Sequence, residues 1–264
     1  MRHYHQRQEK IVMTAKDIVL TAAGQLFGDQ DPSAVDRWVA ADYVQHSSLA
    51  ADGPDGVRAL VEHLPDGFRY DLHRVIADGD LVALHGTYHG FGPAPLVAFD
   101  IFRVADGRLA EHWDALAPVV DTTVSGRSQT DGPTEVTDLD KTDANRELVV
   151  GFVETVLKAG KVDAITDYLS TEQYHQHNPG IGDNLDGLAA ALGALAVQGI
   201  SMVYDTVHKV VAEGNLVLTV AEGRFGPTPT AFYDLFRVEN GKIVEHWDVT
   251  PEIKTDLPHG NGLF

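Results

Sequence analysis

The run Glu111-His112-Trp113-Asp114 returns as Glu245-His246-Trp247-Asp248, each time at the end of the same strand-like stretch. That stretch reads Phe99-Asp100-Ile101-Phe102-Arg103-Val104-Ala105-Asp106-Gly107 in one place and Tyr233-Asp234-Leu235-Phe236-Arg237-Val238-Glu239-Asn240-Gly241 in the other. Tyr43-Val44-Gln45-His46 pairs likewise with Tyr174-His175-Gln176-His177, and Phe91-Gly92-Pro93 with Phe225-Gly226-Pro227. The offset stays at about 131 to 135 residues, a domain length and not a solenoid period. The chain is one domain written twice. Ser125 to Thr134 is polar, rich in Gly and Ser/Thr and without apolar periodicity, so it reads as a flexible linker. The expected division is a first domain over 12–122, a linker over 123–142 and a second domain over 143–264.

The same order of elements is predicted in each half. Thr14 is placed to cap a helix with Ile18, Ala22 and Leu26 on one face, and Asp31-Pro32 opens a second helix through Val35, Trp38 and Val39. A third runs through Val57, Leu60 and Leu64, after which the apolar period falls to two. Strands follow over 68–77, 81–89, 96–104 and 108–116, and in the second half over 202–212, 216–224, 230–238 and 242–249. Helices followed by hairpin-linked strands specify an α+β domain with a mostly antiparallel sheet.

Several chemistries are excluded or disfavoured. The chain has no Cys, which removes disulfides, thiolate catalysis and Cys-ligated metals. A formal charge of −19 opposes nucleic acid and anionic lipid. No apolar run is long enough to cross a bilayer, and the basic, polar segment Met1–Lys10 has no apolar stretch after it. That segment is expected as a frayed arm, and the chain as cytoplasmic, with neither nucleic acid nor membrane as partner. There is no GxGxxG after a strand, no phosphate-binding GxxxxGK[ST] and no GxSxG elbow. His46, His85, His112 and Asp114 suit zinc or iron if they converge, but no HExxH spacing supports a metal, so none is expected.

The hairpin itself says which side chains share a face. With three-residue loops at Asp106-Gly107 and Asn240-Gly241, Asp100 falls opposite His112 and Asp234 opposite His246. Asp100, Phe102, His112 and Asp114 then face one way, and Arg103, Glu111 and Trp113 the other, where the opposite charges meet. A two-residue turn places Trp113 opposite Asp100 instead. Two carboxylates and an imidazole on a concave face make an acid–base site, because burial raises a carboxylate towards neutrality. A structural Asp–His hydrogen bond that orients a core strand fits the spacing equally well. His85 and His89 share a strand face and have no counterparts in the second half, while His73 is matched by His208 on a strand that serves the surface as readily as a pocket.

The helix order, the Tyr-x-Gln-His segment and the Asp-Ile-Phe-Arg-Val…Asp-Gly…Glu-His-Trp-Asp hairpin resemble the SnoaL-like polyketide cyclases of the NTF2-like superfamily, over nearly the whole chain. The resemblance implies three N-terminal helices on a curved sheet enclosing a conical pocket, with His46 and Gln45, and again His177 and Gln176, at its rim. It implies cofactor-independent acid–base catalysis on a small, largely apolar carbonyl compound, by intramolecular aldol condensation, though relatives dehydrate, isomerise or open epoxides. Asp100 or Asp114 then removes a proton beside a carbonyl, and His112 with His46 stabilises the enolate oxygen. Asp234, Asp248, His246 and His177 serve likewise in the second copy. Tyr43, His85 and Phe102, with Tyr174 and Phe236, line the substrate space. The competing reading is a non-catalytic module that binds a hydrophobic ligand or another protein. Because single-domain relatives pair through their outer sheet faces, the chain is expected to be a monomer containing an intrachain pseudo-dimer that buries Trp113 and Trp247.

Overall fold

Thr14 caps the first helix in a reciprocal box with Asp17, and α1 (Ala15–Ala23) widens into a π turn over Gly24–Gly28. The computed structural model describes residues 13–264, so the arm expected over Met1–Lys10 lies outside the described residues. Asp31 caps a short turn that leads into α2 (Val35–Trp38). Then come β1 (Val39–Gln45), α3 (Gly53–Glu62), β2 (Arg69–Asp78), β3 (Leu81–His89), β4 (Leu96–Ala105) and β5 (Arg108–Pro118). The second half repeats the plan with α4 (Thr142–Phe152), α5 (Ile165–Tyr168), β6 (His175–Gln176), α6 (Asn184–Val197), β7 (Met202–Glu213), β8 (Leu216–Phe225), β9 (Thr228–Glu239) and β10 (Lys242–Val249).

The two sheets have the orders β1-β5-β4-β3-β2 and β6-β10-β9-β8-β7. Their first strands correct the sequence reading, which has no strand before residue 68 in the first half or before residue 202 in the second. Val39–Gln45 instead pairs in parallel with β5, Gln45 standing beside His112, and Gln176 stands in the same way beside His246. The remaining neighbours are antiparallel.

A second correction concerns register. Asp106 and Gly107 both have positive φ, 50° and 77°, and Ala105 pairs with Arg108, so the turn has two residues. A bulge then leaves Ala110 without an opposite number between the Val104–Leu109 and Arg103–Glu111 pairs. The result is Asp100 opposite Asp114 and Phe102 opposite His112. The bulge restores the parity that the short turn would have lost, so the faces are those expected although the pairs are not. Asn240-Gly241 and the unpaired Val244 do the same for Asp234 and Asp248.

Each sheet carries its own helices on one face. Val19, Ala22, Leu26, Val57 and Val61 pack on Val82, Leu84 and Phe102, and Val149, Phe152 and Val153 on Val217, Phe232 and Phe236. The opposite faces of the two sheets pack on each other, with Phe99, Ile101 and Trp113 against Leu218, Tyr233 and Trp247 in one apolar cluster. Burying side chains of this size stabilises by roughly 1.5–3 kcal/mol each. The expected intrachain pair of outer faces is thus present. The linker departs from the flexible spacer expected: Arg74 donates to the carbonyls of Thr130, Asp131 and Pro133, and the Trp247 indole N–H to that of Asp131 at 2.9 Å.

Candidate active site

Parallel pairing of β1 with β5 brings a glutamine onto the helix-facing side of the first sheet. The Gln45 Oε1 accepts from the backbone N–H of His46 and Ser47 at 3.1 and 2.9 Å, which fixes it as the oxygen. His112 Nδ1, 2.9 Å from that oxygen, must therefore carry a proton, and Nε2 is left to face Asp100 Oδ1 at 3.2 Å. Asp100 also accepts from Tyr88 at 2.9 Å and Tyr70 at 3.4 Å. Burial, followed by the charge of Asp100, raises both phenols well above their ordinary range, so they remain donors. Tyr70 reaches across the strand because Gly86 leaves room for its ring; a side chain there would overlap it.

Asp114 is the open member of the group. Asp100 and His112 are buried, whereas Asp114 keeps some exposure in a cavity walled by Leu26, Phe27, Tyr43, Phe91, Phe102 and Leu116. Burial pushes its carboxyl up to about 6, against the pull of His112 and with the push of Asp100 across the strands. The cavity is narrow, with an interior volume of about 40 Å³. Phe102 stacks on His112 with centroids 4.5 Å apart, and Tyr43 accepts from Gln45 Nε2 at 3.3 Å, so both wall residues also brace the polar group.

The second half reproduces the frame. His246 Nδ1 lies 2.9 Å from Gln176 Oε1 and Nε2 3.0 Å from Asp234 Oδ1, Phe236 stacks on the ring, Gln176 donates to Tyr174 at 3.4 Å and Tyr204 to Asp234 at 3.0 Å. Burial works against a charged His246, but the hydrogen bond and charges of Asp234 and Asp248 raise it overall, and burial raises Asp248. Donor atoms of Asp100, His112 and Asp114, and of Asp234, His246 and Asp248, lie within 4.8 Å of one another, close enough for a divalent cation. The imidazole nitrogens already serve the glutamine and the aspartate, so a metal would have to break one of those bonds.

Three expected site residues lie elsewhere. The strand alternation that turns Gln45 inward turns His46 outward: its Nε2 meets Glu111 at 2.9 Å and its ring stacks on Trp113. His177 repeats this with Glu245 at 2.8 Å and Trp247. Although burial opposes it, the hydrogen bonds from these histidines and from Arg103 and Arg237 hold Glu111 and Glu245 below the usual carboxylate range. His85 also faces the other sheet, stacked on Phe99 with Nδ1 3.2 Å from Arg74, and burial pushes it well down. His89 pairs with Asp71 near the surface, and half-buried His73 bonds Thr87. Gln45 and Gln176, expected at the rim, take their place beside the imidazoles, and the structure adds Ser47, Tyr70 and Tyr88, with Asn178 and Tyr204 in the second copy. The repeat carried a signal for the glutamines and for Tyr70 and Tyr204; Tyr88 has no repeat to mark it.

A model of the SnoaL-like domain matches residues 21–112 and again 149–246, well over half of the chain. The chain belongs to the SnoaL-like family. Its fold is two tandem NTF2-like domains. Similar solved structures include wild-type IdmH from Streptomyces antibioticus, a presumptive polyketide cyclase, at 19% identity over 39% of this chain and 92% of that one, with a TM-score of 0.34. TsrD from Streptomyces laurentii shares 19% identity over 40% and 91%, TM-score 0.33. A steroid delta-isomerase from Pseudomonas aeruginosa shares 23% over 41% and 83%, TM-score 0.34. At such identity and overlap they carry no information on this chain's chemistry. No curated protein matches it. No helix among the described residues is long and apolar enough to cross a membrane.

Proposed function

We propose that the first domain is a cofactor-independent acid–base catalyst for a small, largely apolar carbonyl compound, with ring closure of a polyketide by intramolecular aldol condensation as its reaction. The observation that supports this best is Asp114, a cavity-facing carboxylate raised to about 6 beside a fixed Asp–His pair. A base with that pKa is largely ionised at neutral pH yet still holds a proton well enough to remove one from carbon. Asp114 takes the proton next to the carbonyl. Asp100 is saturated by His112, Tyr88 and Tyr70 and acts as the anchor of the imidazole. The Ser47 hydroxyl, in the cavity wall beside Asp114, is the group placed to meet the enolate oxygen, while the Tyr88 phenol stays committed to Asp100. His46 is excluded from that role by its orientation.

A binding role suits the second domain better. Asn178 Nδ2 donates to Asp248 Oδ2 at 2.6 Å, an amide standing where the smaller Ser47 hydroxyl meets Asp114. The test is a panel of β-polyketones and simpler 1,3-dicarbonyl compounds followed by ring-product formation. Turnover that survives intact in Asp114→Asn would remove the proposal.

A further inference from the structure

The rim of the first pocket is held by a piece of the second half of the chain. Beyond β10 the chain runs back over the first domain, where Asn261 Nδ2 donates to the Gln45 carbonyl at 2.9 Å and to Asp52 Oδ1 at 2.8 Å. His259 Nε2 donates to the Ser47 carbonyl at 2.9 Å, and the Gly262 carbonyl meets His46 Nδ1 at 3.0 Å. The fastened loop, residues 45–52, supplies Gln45 and Ser47, and Asp52 binds back to the Gln45 N–H at 2.9 Å. Everything that orients His112 from the β1 side passes through this loop.

The other half shows the same device in reverse. The segment after β5 crosses the second domain, where Arg127 pairs with Asp183 at 2.9 Å and the Ser128 carbonyl meets His177 Nδ1 at 2.6 Å. Asp183 in turn accepts the Gln176 N–H at 2.9 Å. Arg127 corresponds to Asn261 and Ser128 to Gly262 under the offset that relates Trp113 to Trp247. A contact made twice, in register and with different side chains, is built into the architecture. The chemistry of the two straps has diverged: an ion pair holds the second rim, and a neutral amide with an imidazole holds the first.

We infer that His259 and Asn261 are positioning residues of the first pocket, fastening the 45–52 loop so that Gln45 holds His112 and Ser47 stays beside Asp114. His259 stands close enough to Asp114 for its charge, when protonated, to favour the carboxylate. The other charged or titratable groups around Asp114 are His112 and Asp100 on the sheet, Tyr43 and Tyr88 in the cavity wall, and Tyr233 from the facing sheet. Only the kinetic arm of the test rests on the acid–base reading above.

The experiment is hydrogen–deuterium exchange by mass spectrometry on the full chain. In the His259→Ala/Asn261→Ala variant the peptide spanning 45–52 should exchange about tenfold faster, the effect of losing two or three modest hydrogen bonds, while 176–183 is unchanged. His259→Gln keeps a donor for the Ser47 carbonyl and should stay within about twofold of wild type. On any carbonyl substrate that the wild type turns over, kcat should fall about tenfold in the double variant and recover in His259→Gln. An unchanged 45–52 peptide, or equal acceleration of both loops, overturns the inference. A wild type that turns over no carbonyl compound defeats the acid–base reading and leaves the exchange result to decide the strap.

Discussion

Asp100 and Asp234 hold the same place in the two halves, yet Asp100 meets His112 and accepts from Tyr88 and Tyr70, whereas Asp234 meets His246 and accepts from Tyr204. Tyr88 gives way to Gly223, Leu84 to Thr219 and Ser47 to Asn178. The glutamine, histidine and two aspartates stay. What the copies share is the frame that orients the imidazole, and what separates them is the group that meets the outer carboxylate, the Ser47 hydroxyl at Asp114 and the Asn178 amide at Asp248. Asp114 opens into a cavity; Asp248 is bonded to Asn178. A duplicated site diverges where a ligand touches it, while the groups that hold one another in place are constrained together.

The largest effect should separate the two interface tryptophans. Trp247 is fully buried, donates its indole N–H to Asp131 and lies under Arg74, while the Trp113 N–H has no partner among the described residues and Lys209 lies over its ring. Trp247→Ala should cost about 4 kcal/mol in denaturant unfolding and Trp113→Ala about 3, and equal losses would place the asymmetry elsewhere. Next comes catalysis. Asp114→Asn should lower kcat about a hundredfold and Asp248→Asn less than about threefold; comparable losses would mean that both pockets work.

The same Asp114→Asn change should stabilise the protein at neutral pH. A carboxyl raised from 3.8 to about 6 contributes its stabilisation below about pH 4 and loses it as pH rises through 6. The variant should therefore gain about 2 kcal/mol over wild type at pH 7 and nothing at pH 4, read from melts at the two pH values. Tyr88→Phe, which removes a donor present only in the first half, should slow turnover about tenfold, whereas Tyr204→Phe should leave that rate alone. The smallest expected change is in mass. With both outer faces already paired inside one chain, light scattering should give a monomer, and a stable dimer would show that the intrachain pair leaves a further surface unmet.

The hairpins were legible because their information is local. Turn residues, a period of two and the Arg–Glu pairing fix which side chains travel together, even though the bulge at Ala110 changed the partners. β1 was not legible, since a short parallel strand is defined by its neighbour some seventy residues away, and the strand-forming Tyr43 and Val44 are too few to set a period of two. That one missed element put His46 and His177 on the wrong side, because strand parity begins where the strand does. His85 failed differently. Period two grouped it correctly with His89, but it could not say which face of the sheet met the helices.

The crossed straps bear on what counts as a domain here. A cut at residue 122, natural from chain order, leaves the second half with its own strap upstream and takes the first half's away. During synthesis the second pocket's fastening emerges before the pocket does, whereas the first pocket waits until Asn261 has left the ribosome. A circular permutation that joins residue 264 to residue 1 and opens the chain before residue 250 would place the first pocket's strap in the same half as the pocket it fastens, while the shared apolar interface would still hold the halves together.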